Sequence, residues 1–89
     1  MAKKRRKLNK DFEKKIYSSK KNVELVLAKI YDIDDEDIQK EYMSAFNGVV
    51  HLYDELKQDY ERQGFHDNSN ELLTNYKNAF NIFESEFEI

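Results

Sequence analysis

Apolar residues recur every three or four positions in three segments of the chain, which is the spacing of an amphipathic α-helix. The second segment is the most regular and gives one continuous stripe over about six turns. The three stripes are Phe12, Ile16, Val23, Val26 and Ile30; Ile38, Tyr42, Phe46, Val49, Tyr53, Leu56 and Tyr60; and Leu73, Tyr76, Phe80, Phe83 and Phe87. The pattern predicts helices over about residues 9–31, 35–63 and 69–87.

The residues that flank these stripes suit helix ends. Asn9 is placed to cap the first helix, and Asp34 or Asp35 to cap the second, since their side chains accept hydrogen bonds from free backbone N–H groups. Gly64 follows the second stripe and is expected to end that helix in the left-handed conformation. Phe65 would then fold back onto Tyr60, as in a Schellman motif.

A chain of 89 residues has room for one domain with one thin core. It contains no proline and two glycines, which disfavours the tight turns of a sheet-rich fold. Three amphipathic helices with short connections predict an all-α, up-down-up three-helix bundle over residues 9–89. Residues 1–8 are interpreted as a flexible, disordered basic arm.

Charge is divided unevenly along the chain. Residues 1–22 contain ten Lys and Arg against two acids, whereas residues 23–89 contain sixteen acids against five bases. The formal net charge of −3 hides this asymmetry. Such a division indicates binding to another macromolecule, although it does not say which one.

On the first helix a basic ridge, formed by Lys10, Lys14, Tyr17 and Lys21, lies opposite the apolar stripe. The arm extends it with Lys3, Lys4, Arg5, Arg6 and Lys7. The ridge could contact phosphates, with Tyr17 stacking on bases, or an acidic partner protein. It could also serve only to solvate the chain.

The third helix does not suit reading of the DNA major groove. Its one base is Lys77, and its acids, among them Glu71 and Glu84, would be repelled by the phosphates that flank the groove. Nucleic-acid binding would therefore be nonspecific and confined to the basic segment. The acidic remainder of the chain could instead imitate a nucleic-acid backbone.

Four large apolar residues fall outside the main stripes. They could form a second apolar surface for self-association or for a helix of a partner. The residues are Leu25, Tyr31, Leu52 and Ile82.

No motif indicates catalysis, a cofactor or a metal. There is no cysteine, and no glycine-rich loop surrounds a serine or a phosphate site. The spacing Asp32-x-Asp34-x-Glu36 begins like a calcium loop, but Asp37 stands where glycine is needed and Met43 where glutamate is needed. No catalytic, cofactor-binding or metal-binding residue is therefore assigned.

These features together predict a non-enzymatic helical accessory protein of bacterial or phage type. It would act in the cytoplasm as a regulator or inhibitor, by binding a partner protein. The alternatives are a nonspecific nucleic-acid-binding protein that uses the basic segment, and a helical bundle of the bacteriocin-immunity type. No membrane span is expected, because the apolar runs are far shorter than the roughly 20 residues required.

Overall fold

The computed structural model describes residues 7–87. These residues form three helices, α1 (Lys10–Tyr31), α2 (Glu36–Gln63) and α3 (Ser69–Phe87). The predicted helix bounds are confirmed to within one residue, and the all-α class is confirmed. Over the described part of the chain, no helix combines the length and the apolar character that a membrane span requires.

The predicted caps of α1 and α2 are present. The side-chain oxygen of Asn9 accepts a hydrogen bond from the N–H of Phe12 at 3.0 Å. Of the two candidate aspartates, Asp35 caps α2, because its carboxylate accepts from the N–H groups of Asp37 and Ile38 at 2.9 and 3.1 Å. Both helices therefore begin where a polar side chain satisfies the first free N–H groups.

Adjacent helices run antiparallel. The start of α1 meets the end of α2, where the rings of Phe12 and Tyr60 lie 5.6 Å apart. The start of α2 meets the end of α3 through Tyr42 and Phe87, whose rings are 4.8 Å apart. The up-down-up arrangement predicted from the short connections is confirmed.

The core is built from the predicted stripes, with α2 in the centre. Its buried apolar members are Phe12, Val23, Val26, Ile30, Phe46, Val49, Tyr53, Leu56, Tyr60, Leu73, Tyr76 and Phe83. Ile38 is the exception among the stripe residues, because it lies in the first turn of α2 and remains 44% exposed. The side chain that interrupts the α1 stripe, Ser19, is itself buried.

A polar cluster joins the start of α1 to the end of α2. The Tyr60 hydroxyl donates to the Glu13 carboxylate at 2.6 Å and accepts from the backbone N–H of Asn9 at 3.0 Å. Beneath it, the ring of Phe12 lies between Tyr60 and Phe65, with the Phe65 ring at 5.1 Å. This cluster fixes the position of the first turn of α1.

Gly64 ends α2, but the predicted Schellman motif is wrong. Its φ of 71° is positive as expected, whereas its ψ of −161° lies far from the left-handed helical region. The N–H of Phe65 consequently leaves the helix and donates to the carbonyl of Lys7 at 2.6 Å. Lys7, assigned to the arm from sequence, thus pairs with the end of α2 at Gly64.

The turn between α2 and α3 is organised by His66. Its Nε2 lies 2.6 Å from a carboxylate oxygen of Asp59, and the N–H of Asn68 donates to its Nδ1 at 3.3 Å. The N–H of His66 in turn donates to the Ser69 hydroxyl at 2.9 Å. These contacts join the last turns of α2 to the first turn of α3.

Candidate functional site: the groove between α1 and α3

Helices α1 and α3 each pack mainly on α2 and contact each other sparsely. They touch at Ser19 and Tyr76, where the Tyr76 hydroxyl donates to the carbonyl of Ser19 at 3.3 Å. The Ser19 hydroxyl donates to the carbonyl of Lys15 at 2.8 Å. Ser19 is small and its hydroxyl is hydrogen-bonded within α1. It therefore occupies a position of the apolar stripe at the point where Tyr76 approaches α1.

Along this contact runs a groove of about 560 Å³, referred to below as the α1–α3 groove. Its floor contains Ser19, Val26, Tyr76 and the half-buried Phe80, and its walls are polar or charged. Within residues 7–87 the lining is Lys14, Lys15, Ser18, Ser19, Asn22, Leu25, Val26, Lys29, Tyr76, Lys77, Phe80, Asn81 and Glu84. The groove is thus apolar at its base and basic at its walls.

Among the residues that the structure describes, the charged side chains that line the groove are four lysines and one glutamate. Lys14, Lys15 and Lys29 come from α1, Lys77 comes from α3, and Glu84 is the acid. All five lie at exposed positions. In a chain whose formal net charge is negative, this local excess of ammonium groups favours an anionic ligand.

The structure divides the predicted basic ridge. Lys14 lines the groove, whereas Lys10, Tyr17 and Lys21 are exposed on α1 and do not line it. The Lys21 ammonium lies 4.8 Å from the centre of the Tyr17 ring, so it covers one face of that ring. The remaining arm bases lie outside the described residues: Lys3, Lys4, Arg5 and Arg6.

The four residues predicted to form a second apolar surface lie in different places. Leu25 lines the α1–α3 groove and is 57% exposed. Ile82 is 59% exposed but lines a separate shallow depression between α2 and α3. Leu52 packs against the core, and Tyr31 is exposed in the last turn of α1. Of this set, only Leu25 belongs to the basic groove.

Sequence reasoning missed Lys15, Lys29 and Lys77 as members of one site. On a helical wheel Lys15 and Lys29 fall between the basic ridge and the apolar stripe, where a lysine is ordinarily solvated. Lys77 stands alone among the acids of α3. The sequence signal that could have found the site was the position of Ser19, since a polar residue within an apolar stripe marks a place where the helix packs differently.

Comparison of the chain with family models, with curated proteins and with solved structures gave no match. Within residues 7–87 no three His, Asp or Glu side chains group in a way that could hold a metal ion.

Tyr76 supplies a neutral hydroxyl to the groove floor. Burial raises the pKa of Tyr76 to about 12, and the neighbouring Tyr53 and Glu84 add to the rise. Burial also raises the pKa of Tyr53 above its ordinary value, with Asp54 as the next cause. Both phenols thus remain protonated at neutral pH, and Tyr76 keeps its hydrogen bond to α1.

This pKa predicts a loss of stability in alkali. In the unfolded chain Tyr76 ionises near pH 10, whereas in the fold its pKa is about 12. Its contribution, on the order of 2 kcal/mol, is therefore complete below pH 10 and is lost as the pH rises toward 12. Urea unfolding at increasing pH should show this fall, and the Tyr76→Phe variant should show a shallower one. Parallel curves for the two proteins would contradict the assignment.

Proposed function

We propose that this chain is a small accessory protein of the regulator or inhibitor type, which acts by binding a partner protein in the α1–α3 groove. The observation that carries the proposal is the combination of an apolar floor with basic walls. The floor includes Val26 and Phe80, and a partner that covers their apolar surface gains binding free energy because that surface is removed from water. The lysines select an acidic partner and orient it.

The apolar floor favours a protein over a nucleic acid as the ligand. Phosphate contacts need only accessible ammonium groups, and base stacking needs an open aromatic face. The lysines of the groove instead surround aliphatic and aromatic carbon that a phosphate backbone would leave uncovered. Outside the groove, one face of Tyr17 is already occupied by Lys21.

The test compares two aspartate substitutions of matched exposure. Leu25 and Ile82 are 57% and 59% exposed, but only Leu25 lines the α1–α3 groove. We expect Leu25→Asp to reduce recovery of a partner by about tenfold or more, because it replaces an exposed apolar side chain of the groove lining with a carboxylate that an acidic partner would repel. The measurement is affinity capture from cells of the source organism, quantified by mass spectrometry.

The Ile82→Asp variant is the control and should recover the partner as the unchanged protein does. Circular dichroism should show equal helix content in all three proteins. Equal recovery with Leu25→Asp and with the unchanged protein would place the binding surface elsewhere. Recovery of nucleic acid in place of protein, with steep dependence on salt, would support the alternative function.

A further inference from the structure

We infer that the occupant of the α1–α3 groove is an acidic amphipathic helix of the partner, which lies antiparallel to both α1 and α3 as a fourth helix. This inference rests on the proposed protein-binding function and specifies the partner's chemistry. Three features of the groove support it: its length, the common direction of α1 and α3, and the order of the charged side chains along it.

The length of the groove fits a helix of about four turns. Its lining on α1 extends from Lys14 to Lys29, which corresponds to roughly 22 Å at the rise of an α-helix. An amphipathic helix of about 15 residues spans this distance and presents one apolar stripe to the floor. The amides of Asn22 and Asn81 also line the groove and can hydrogen-bond to polar side chains beside that stripe.

The direction follows from the arrangement of the three helices. Because α1 and α3 both run antiparallel to α2, they run in the same direction as each other. A helix seated between them on the side away from α2 completes a four-helix bundle. If it runs antiparallel to both walls, every pair of neighbours in that bundle is antiparallel, as in an up-down-up-down bundle.

The charges along the groove favour the same direction. Lys14 and Lys15 lie at the end of the groove near the start of α1, and Lys77 follows Tyr76, which contacts Ser19 nearer the middle. Lys29 and Glu84 lie at the far end, where their opposite charges leave no net charge on the lining. A helix antiparallel to α1 places its negative C-terminal end beside Lys14 and Lys15, and its positive N-terminal end where the lining carries no net charge. Acids in its C-terminal half would add to this attraction.

A second copy of the chain is a poorer occupant than a partner. Each of its helices uses its apolar stripe in its own core. Of the large apolar side chains that remain exposed within residues 7–87, Leu8, Ile38 and Ile82 lie singly on different segments. Tyr17, Leu25 and Tyr31 share α1 but are eight and six residues apart, which is not the spacing of three or four of an apolar stripe. No described helix thus offers a free stripe that would fill the groove without unfolding its own bundle.

The test uses two synthetic helices of equal composition, each about 16 residues long with a leucine stripe. One carries its glutamates in the C-terminal half, and the other carries them in the N-terminal half, with glutamine elsewhere. By isothermal titration at low salt, the first should bind at least about tenfold more tightly than the second. A nitroxide label at the C-terminus of the first peptide should broaden the NMR amide signals of Lys14 and Lys15 more than that of Lys29.

Substitutions of two lysines on α1 supply the matched controls. Lys15 lines the groove, whereas Lys20 is exposed outside it. Lys15→Glu should weaken binding of the first peptide by about tenfold or more, and Lys20→Glu, which changes the net charge equally, should leave it within about twofold.

Several results would overturn the inference. These are equal affinity for the two peptides, no saturable binding of either, or broadening centred on Lys29. If sedimentation shows that the unchanged protein is a dimer and that the Lys15→Glu variant is a monomer, the occupant of the groove is a second copy of the chain. If neither peptide binds while Leu25→Asp still abolishes capture of a partner, the protein-binding function stands and only the helical occupant is wrong.

Discussion

Replacement of Phe46 with alanine is expected to lower the free energy of unfolding by about 3–5 kcal/mol. Phe46 is fully buried in the middle of α2, and its ring packs against those of Phe80 and Phe83 at 6.1 and 4.8 Å. Without this ring, less apolar surface is buried and a cavity remains between α2 and α3. This pair of helices is packed more extensively than α1 and α2.

Because a small domain is stable by only about 5–15 kcal/mol, this loss would remove a large fraction of its stability. Equilibrium urea unfolding followed by circular dichroism measures it. Tyr17→Ala is the control, since it also removes an aromatic ring from a helix but from a side chain that is 57% exposed. That variant should change stability by no more than about 0.5 kcal/mol. Similar losses for the two variants would contradict the position of Phe46 in the core.

The same substitution at the two glycines should have opposite effects. Gly64→Ala is expected to destabilise the fold by about 1–3 kcal/mol, because its φ of 71° and ψ of −161° lie in a region that only glycine adopts readily. Gly48→Ala should stabilise it by about 0.5–1 kcal/mol. Gly48 is exposed inside α2, and an added Cβ there would meet nothing within 4 Å.

Urea unfolding of both variants beside the unchanged protein measures the difference. The contrast separates backbone conformation from the general effect of adding a methyl group, since the chemical change is identical. An increase in stability at Gly64 would mean that the chain leaves α2 by another route. The pairing of Lys7 with Gly64 would then need revision.

Most of the fold could be predicted from local patterns. The apolar stripes gave the helix bounds because burial of one face is what selects a helix in a small domain. Asn9 could be identified as one cap, and the other could be narrowed to Asp34 or Asp35, because capping uses hydrogen bonds between residues two or three positions apart. The antiparallel order followed from short connections, which leave few other ways to bury three stripes together.

The end of α2 could not be predicted in the same way. A positive φ at Gly64 was expected, but the bond that decides its ψ comes from Lys7, more than fifty residues earlier in the chain. A local rule assumes that the N–H of Phe65 returns to its own helix. Here a distant carbonyl accepts that hydrogen bond, while the ring of Phe65 packs on Phe12.

The candidate site was predictable only in part. The first helix was identified as a basic surface, and Lys14 and Leu25 were named in advance. The other lysines of the groove could not be predicted, because each lies at an ordinary exposed position on its own helix: Lys15, Lys29 and Lys77. Only the sparse contact between α1 and α3 makes them one site, and that contact depends on the meeting of Ser19 with Tyr76.

By itself, the sequence determined the class, number, bounds and order of the helices, together with the excess of positive charge on the first one. These are consequences of periodicity, capping and composition, which are local properties of a chain. The tertiary structure alone decided where the first and third helices touch and which side chains border the gap between them. That outcome depends on how side chains of different helices pack against each other, so it is fixed only when the helices meet.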